Sequence, residues 1–280
     1  NCDDEGYMKK LLFGLCLICA LFVVACDVDA SGKSRQKVVV KSPDLNDYLA
    51  NLEENTPDDP YVIVVSEPEK MEVHDALYNN PRKYVSLSFV DYENYELYFY
   101  KCVNLVSIEI PEGIKEIIDG AFSQCVNLQK VRMTDSVSRI GNSAFVYCMA
   151  LNDIKLSINI ESIGNFAFLE CPNLETIILP EKLTSIGERA FDWCSKLKEI
   201  EIPSGVTEIK SQTFYWCLTL KKLKLPATLV EINENAFFNC PSLLEIYYAG
   251  SEEQWNNIIK VDGWDKSFHL NLVIKYNCTK

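Results

Sequence analysis

Seven cysteines, Cys102, Cys125, Cys148, Cys171, Cys194, Cys217 and Cys240, stand 23 residues apart. Thiols can attack as thiolates, ligate metals or form disulfides. A metal site within one segment needs close spacing such as Cys-x-x-Cys, which a 23-residue interval does not supply. Disulfides between neighbours are conceivable in an exported chain if the cysteines stack ~5 Å apart, but seven is an odd number and parallel side chains aim poorly at each other. The cysteines therefore read as small, buried, apolar core residues, with Cys278 a separate case.

The remaining inventory for chemistry is short. His74 and His269 are the two histidines, and no Gly-x-Ser-x-Gly or His-Glu-x-x-His surrounds a candidate nucleophile or metal. "ASGKSRQ" suggests a phosphate loop, yet Asp27 stands where its first glycine belongs; "DVDASG" starts like a calcium loop, but Val38 falls where the bidentate glutamate is needed. No catalytic residue, metal site or cofactor is expected. A net charge of −13 and a pI near 4.7 also argue against nucleic acid as a partner.

What positions the cysteines is a repeat: L-x-x-I-x-I-P-x-x-V-x-x-I-G-x-x-A-F-x-x-C-x-x. Its leucines are Leu105, Leu128, Leu151, Leu174, Leu197, Leu220 and Leu243; isoleucine follows twelve positions later at Ile117, Ile140, Ile163, Ile186, Ile209 and Ile232; the phenylalanines are Phe122, Phe145, Phe168, Phe191, Phe214 and Phe237. A fixed period of this length predicts a solenoid, in which each coil buries its apolar side chains against the same residues of the coils above and below. Alternation around Ile108 and Ile110 predicts a short strand, stopped by Pro111, Pro180, Pro203 and Pro226 in four copies. Gly141, Gly164 and Gly187, with Asn233, predict a turn at positive φ, although Ile118 and Lys210 hold the same place in other coils.

The pattern resembles the leucine-rich repeat of the BspA-like bacterial surface proteins, the type also found in treponemal lipoproteins. The resemblance spans residues 105 to 248, with 82 to 104 as a degenerate first coil that keeps Val85, Leu87, Phe99 and Cys102, and "IYYAGSEEQWNNI" is similar to the family's closing segment. It implies an α/β repeat solenoid, right-handed and curved, with a parallel sheet on one face and caps at both ends. It also implies adhesin-like binding of another protein, host matrix or the surface of another cell, rather than catalysis.

The N-terminus predicts export. Met8-Lys9-Lys10 precede the apolar run Leu11 to Val24, which is too short to span a bilayer as a helix. Val23-Val24-Ala25-Cys26 resembles a bacterial lipobox, making Cys26 the lipidation site and the lipid the membrane anchor. The expected organisation is a signal peptide at 1–25, of which 1–7 look like an upstream extension; a lipidated cysteine and flexible tether at 26–42; an N-terminal cap at 43–81; the solenoid at 82–248; and a C-terminal cap at 249–280. Within the caps, Leu45 to Leu52 and Glu252 to Lys260 predict helices, and "TPDDPYVIVV" and Asn271 to Tyr276 predict strands.

Two surfaces are candidates for a partner. Outward strand positions carry Lys130, Arg132, Lys155, Lys198, Lys221, Lys222, Lys224 and Tyr247; cross-strand pairing of Glu109 with Arg132, Glu199 with Lys222 and Glu201 with Lys224 is the alternative use of these charges. Just before the cysteines, Trp193, Tyr215, Trp216 and Phe238 on adjacent coils either pack over the coil edge or form an exposed aromatic patch. The expected function is a non-catalytic, lipid-anchored protein at the bacterial envelope or surface. The other reading is a periplasmic-side scaffold without a host ligand, with Asp27 after Cys26 resembling a retention signal.

Overall fold

The structure, a computed structural model, describes residues 24–28, 34–68, 70–90, 96–264 and 272–278. From Leu105 onward each coil, apart from the one at Leu174, starts with a strand on one face, passes a second, two-residue strand near the ladder isoleucine, and closes through the Ala-Phe and Cys turns. Pairing between coils is parallel: Ile108 lies opposite Val131 and Val131 opposite Ile154, and further on Ile200, Leu223, Ile246 and Ile274 form one row. A one-residue slip would turn this row outward, so burial holds the register.

The ladder leucines, isoleucines, phenylalanines and cysteines are each no more than 2% exposed. From Phe122 to Phe237 the rings stack at 5.2–5.7 Å with planes within 4° of parallel. The cysteines are free thiols, and six of them donate Sγ–H to the carbonyl of the phenylalanine 26 residues earlier, at 2.9–3.3 Å, from Cys125 onto Phe99 through Cys240 onto Phe214. Cysteine thus supplies a small apolar body and a donor for a carbonyl buried between coils. Burial pushes the thiols up, Cys102 and Cys240 to about 12.

The N-terminal region corrects two expectations. Residues 34–41, placed in the tether by their polar neighbours, are a strand. β1 (Val24–Val28) pairs antiparallel with β2 (Ser34–Lys41), which runs parallel to β3 (Tyr61–Ser66), β4 (Val85–Val90) and β5 (Leu105–Glu109). The segment expected to be a separate cap is a pair of further coils whose return segments are helices: Leu45–Ala50, which buries Leu45 and Leu49, and Lys70–Asn79, which buries Val73, Ala76 and Leu77. Asn104 sits fully buried beside the turn that follows the second helix, and its Nδ2 lies 2.9–3.2 Å from the carbonyls of Leu77, Asn80 and Lys83, tying that turn to the next coil. Cys26 lies in β1 opposite Gln36, so this strand crosses the boundary where the lipobox reading places cleavage. Residues 1–23, and the leader expected there, fall outside the described residues.

The ladder glycines do not take positive φ. That conformation falls two residues later in each coil, at Gly120, Ser143, Phe166, Arg189, Gln212 and Asn235, and again just before every ladder cysteine. Gly141, Gly164 and Gly187 are instead required by close approach: a Cβ on Gly187 would lie 2.3 Å from the Gly164 carbonyl carbon and 2.4 Å from the Asn165 nitrogen. Gly187→Ala is expected to push two coils apart and cost about 2 kcal/mol. A urea unfolding midpoint equal to that of the unchanged protein would contradict this contact.

The ladders are interrupted once on each side among the described residues. On the sheet face, Asp153–Lys155 is the last strand of the first sheet; the next coil, at Thr176, makes only an isolated bridge forward to Glu199, where the second sheet begins. On the isoleucine side the break lies between Ser185–Ile186 and Glu208–Ile209, where Lys210 replaces the ladder glycine. At the C-terminus, Ser251 and Gln254 form a capping box for the helix Glu252–Asn257. That helix is shorter than expected because Ile258 is extended, which frees Ile259–Lys260 to pair with Glu231–Ile232. Val273–Lys275 closes the sheet.

The sheet face and the cysteine flank as candidate binding surfaces

Outward strand side chains lie one coil apart, close enough for cations to meet the carboxylates of neighbouring coils. Lys198 reaches Glu175 at 2.5 Å, Lys224 reaches Glu201 at 2.7 Å, and Lys222 lies 4.0 Å from Glu199. Arg132 is in register with Glu109 but pairs with Asp153 on the other side, because its NH2 and NH1 groups also find the Asp153 carboxylate and carbonyl. Tyr247 donates to Glu245 at 2.6 Å, accepts from Lys275 at 3.3 Å, and has Lys222 and Lys275 over its ring at 5.5 and 4.8 Å. The Lys198 ammonium holds the Glu175 carboxyl below its ordinary range, and Lys275 with Tyr247 does the same for Glu245.

The structure therefore divides the eight candidate residues. Arg132, Lys198, Lys222, Lys224 and Tyr247 are engaged within the face. Lys130, Lys155 and Lys221 are exposed and make no ion pair among the described residues. Beside them stands a residue that the charge pattern does not single out: Ile178, 87% exposed, in the coil where the sheet is interrupted. Leu244 on the same face is 49% exposed, whereas Val106, at the equivalent place in the coil that starts at Leu105, is buried.

On the flank, the four aromatics come together. Trp193 and Trp216 stack at 4.4 Å, Tyr215 and Phe238 at 5.0 Å, and Tyr215 and Trp216 lie 6.4 Å apart at 42°. Trp193 is exposed and the other three are half-buried, so they pack over the coil edge and still present one continuous apolar strip. The sequence reading stopped at the later coils. Tyr147, in the same place as Trp193 and Trp216, and Met149, just after Cys148, are also exposed, and with Val103, Val126 and Lys101 they face Leu77, Tyr78 and Pro81 across a groove of about 730 Å3. The groove exists because a helical coil, thicker than the turn-only coils that follow, ends beside them. Beneath the strip, Asp192 is fully buried; burial raises its carboxyl, while Arg189 donates Nε–H to Oδ2 at 2.7 Å and leaves Oδ1 without a partner among the described residues.

His74 has a structural place, with Nε2 3.1 Å from the Tyr100 carbonyl, Nδ1 3.0 Å from Asp75, and its ring against Tyr78 and Tyr98. His269 lies outside the described residues. Among the described residues no group of three or more His, Cys, Asp and Glu is placed to hold a metal ion, and no helix is long and apolar enough to cross a membrane.

A profile of the BspA type leucine rich repeat region matches residues 95–191 and 161–259, in six copies. No protein of curated function matches the chain. Similar solved structures include the T. pallidum leucine-rich repeat protein (21% identity, 85% of this chain and 82% of that chain, TM-score 0.47). A leucine-rich cell surface protein from Faecalibacterium prausnitzii A2-165 aligns at 20% identity over 86% and 98% of the two chains, with a TM-score of 0.33. A leucine-rich repeat protein from Bacteroides ovatus ATCC 8483 does so at 18% over 92% and 78%, with a TM-score of 0.37.

Proposed function

Because this chain belongs to the BspA-type leucine-rich repeat family, we propose that it is a non-catalytic protein of the bacterial cell envelope. In this reading it is held to the membrane through a lipid on Cys26, displayed at the cell surface, and binds another protein, adhesin-like, through its sheet face. The observation that carries the reading is Ile178. It stands 87% exposed at an outward strand position that polar or half-buried side chains fill in the other coils, on a face whose Lys130, Lys155 and Lys221 have no counter-ion among the described residues. An exposed apolar side chain on a face that also carries unpaired charge has the make-up of an interface: the apolar group contributes affinity once desolvated, and the charges steer encounter.

The test is a photo-crosslinking residue in place of Ile178 in the native lipoprotein on intact cells. A discrete protein adduct is expected, reduced about tenfold when Lys130, Lys155 and Lys221 are all changed to glutamate, with the far-UV spectrum unchanged. An adduct insensitive to the charge reversal would remove the face from the reading. Protease added to the same cells separates display from the periplasmic scaffold: loss of the repeat region with a periplasmic control intact supports display, and a protected repeat overturns it.

A further inference from the structure

The flank holds a side-chain cluster that the sheet-face reading leaves unused. Tyr147, Glu170 and Trp193 occupy the same place in three successive coils, each just before a ladder cysteine and each at positive φ (59°, 55° and 58°). Their N–H groups donate to the next coil at 2.8–2.9 Å, Tyr147 to Leu169, Glu170 to Asp192 and Trp193 to Tyr215, so the three side chains leave the coils in the same sense from consecutive steps. One step measures 5.2–5.4 Å at the phenylalanine column of these coils, which sets Tyr147 and Trp193 about 11 Å apart with the acidic side chain between them. Trp193 and Trp216, one step apart, stack, whereas no ring contact joins Tyr147 to Trp193.

The cluster is negative. Glu170 is half-buried and forms no ion pair among the described residues. Asp192 lies fully buried in the adjoining coil with Oδ1 unpartnered, and the one nearby guanidinium, Arg189, is held by Asp192 Oδ2 and lies 5.6 Å over the Phe166 ring.

We propose that Tyr147, Glu170 and Trp193 form a slot for one organic cation, the side chain of an arginine or lysine presented by a protein partner. A cation is attracted to an aromatic face within about 6 Å of its centroid, so an ion seated on the Glu170 carboxylate, between rings two steps apart, is in reach of both, and the carboxylate supplies its counter-charge. A neutral ring in the same place would desolvate Glu170 without compensation, and an anion would be repelled by its carboxylate. The chain's charge of −13 favours the approach of a cationic partner. The slot deepens the protein-binding reading by naming the partner's chemistry, on a surface separate from Ile178.

The test needs no partner. The full chain is titrated at constant ionic strength with N-acetyl-arginine methylamide and N-acetyl-lysine methylamide, with N-acetyl-glutamate methylamide as the anionic control, and tryptophan emission is followed. A saturable change with either cation and none with the anion is expected. Glu170→Gln and Trp193→Ala should each weaken it about fivefold or more, while Ile178→Asp leaves it unaltered, and circular dichroism verifies the fold of each variant. A flat titration, or an equal response in Glu170→Gln, overturns the slot while leaving the photo-crosslinking result on the sheet face to stand or fall separately.

Discussion

Raising the pH past 9 is expected to unfold the repeat region over a narrow interval. The ordinary cysteine value, which applies to the unfolded chain, is 9.0; in the folded solenoid burial raises all seven ladder thiols, Cys102 and Cys240 to about 12 and Cys125, Cys148, Cys194 and Cys217 well above the ordinary value. Above pH 9 the unfolded state therefore binds fewer protons than the folded state, and stability falls as pH rises. The stabilisation is fully present below 9 and is lost from there upward, each thiol contributing up to about 1.4 kcal/mol per pH unit. Urea unfolding at pH 8 and at pH 10 measures the slope. Replacing Cys148 and Cys171 with alanine should remove the share of two protons; an unchanged slope would show that these thiols ionise freely in the folded protein.

Phe168→Ala is expected to be the most damaging single truncation, at about 4 kcal/mol. The ring is wholly buried between Phe145 at 5.2 Å and Phe191 at 5.4 Å, in a column where each member touches only its neighbours. Because a solenoid's stability is approximately a sum of coil and nearest-neighbour terms, a defect at the middle uncouples the two ends. Urea unfolding of this variant should broaden or split as well as shift. A single sharp transition displaced by less than about 1 kcal/mol would contradict a stack that is continuous through Phe168.

The coils from Leu105 onward were legible because stacking forces one residue type to recur at each buried place. The coils before them were not. Successive inward residues there are Val38, Ile63, Leu87 and Ile108, spaced 25, 24 and 21 apart, so comparison at a fixed offset of 23 loses phase. Their helices also carry no Phe or Cys column, although Val38-Val39-Val40 was a β-branched signal lying within the polar segment. The ladder glycines were visible but ambiguous, since positive φ and close backbone approach select the same residue. On the sheet face, sequence gave Glu109 and Arg132 as neighbours, but an arginine between two acidic coils chooses by side-chain geometry, and Asp153 offers both a carboxylate and a carbonyl. Nothing in Thr176-Ile177-Ile178-Leu179 marks the interruption of the sheet; read alone, it is a good strand. The slot was missed because Glu170, the acidic residue in an aromatic column, is informative only once Tyr147 and Trp193 are known to flank it.

The interruption beside Ile178 has a mechanical meaning. On the Phe and Cys side the coils stay bonded across it, Phe168 to Ala190 and Glu170 to Asp192 at 2.8 Å, while the sheet face lacks its ladder between Asp153–Lys155 and the next coil. Resistance to bending on the sheet face is thus lowest at this step, with the intact side as pivot and the sheet face as the side that opens. A load on either end concentrates its deformation there, and the angle between the two stacks becomes the soft coordinate by which one face can fit itself to surfaces of different curvature.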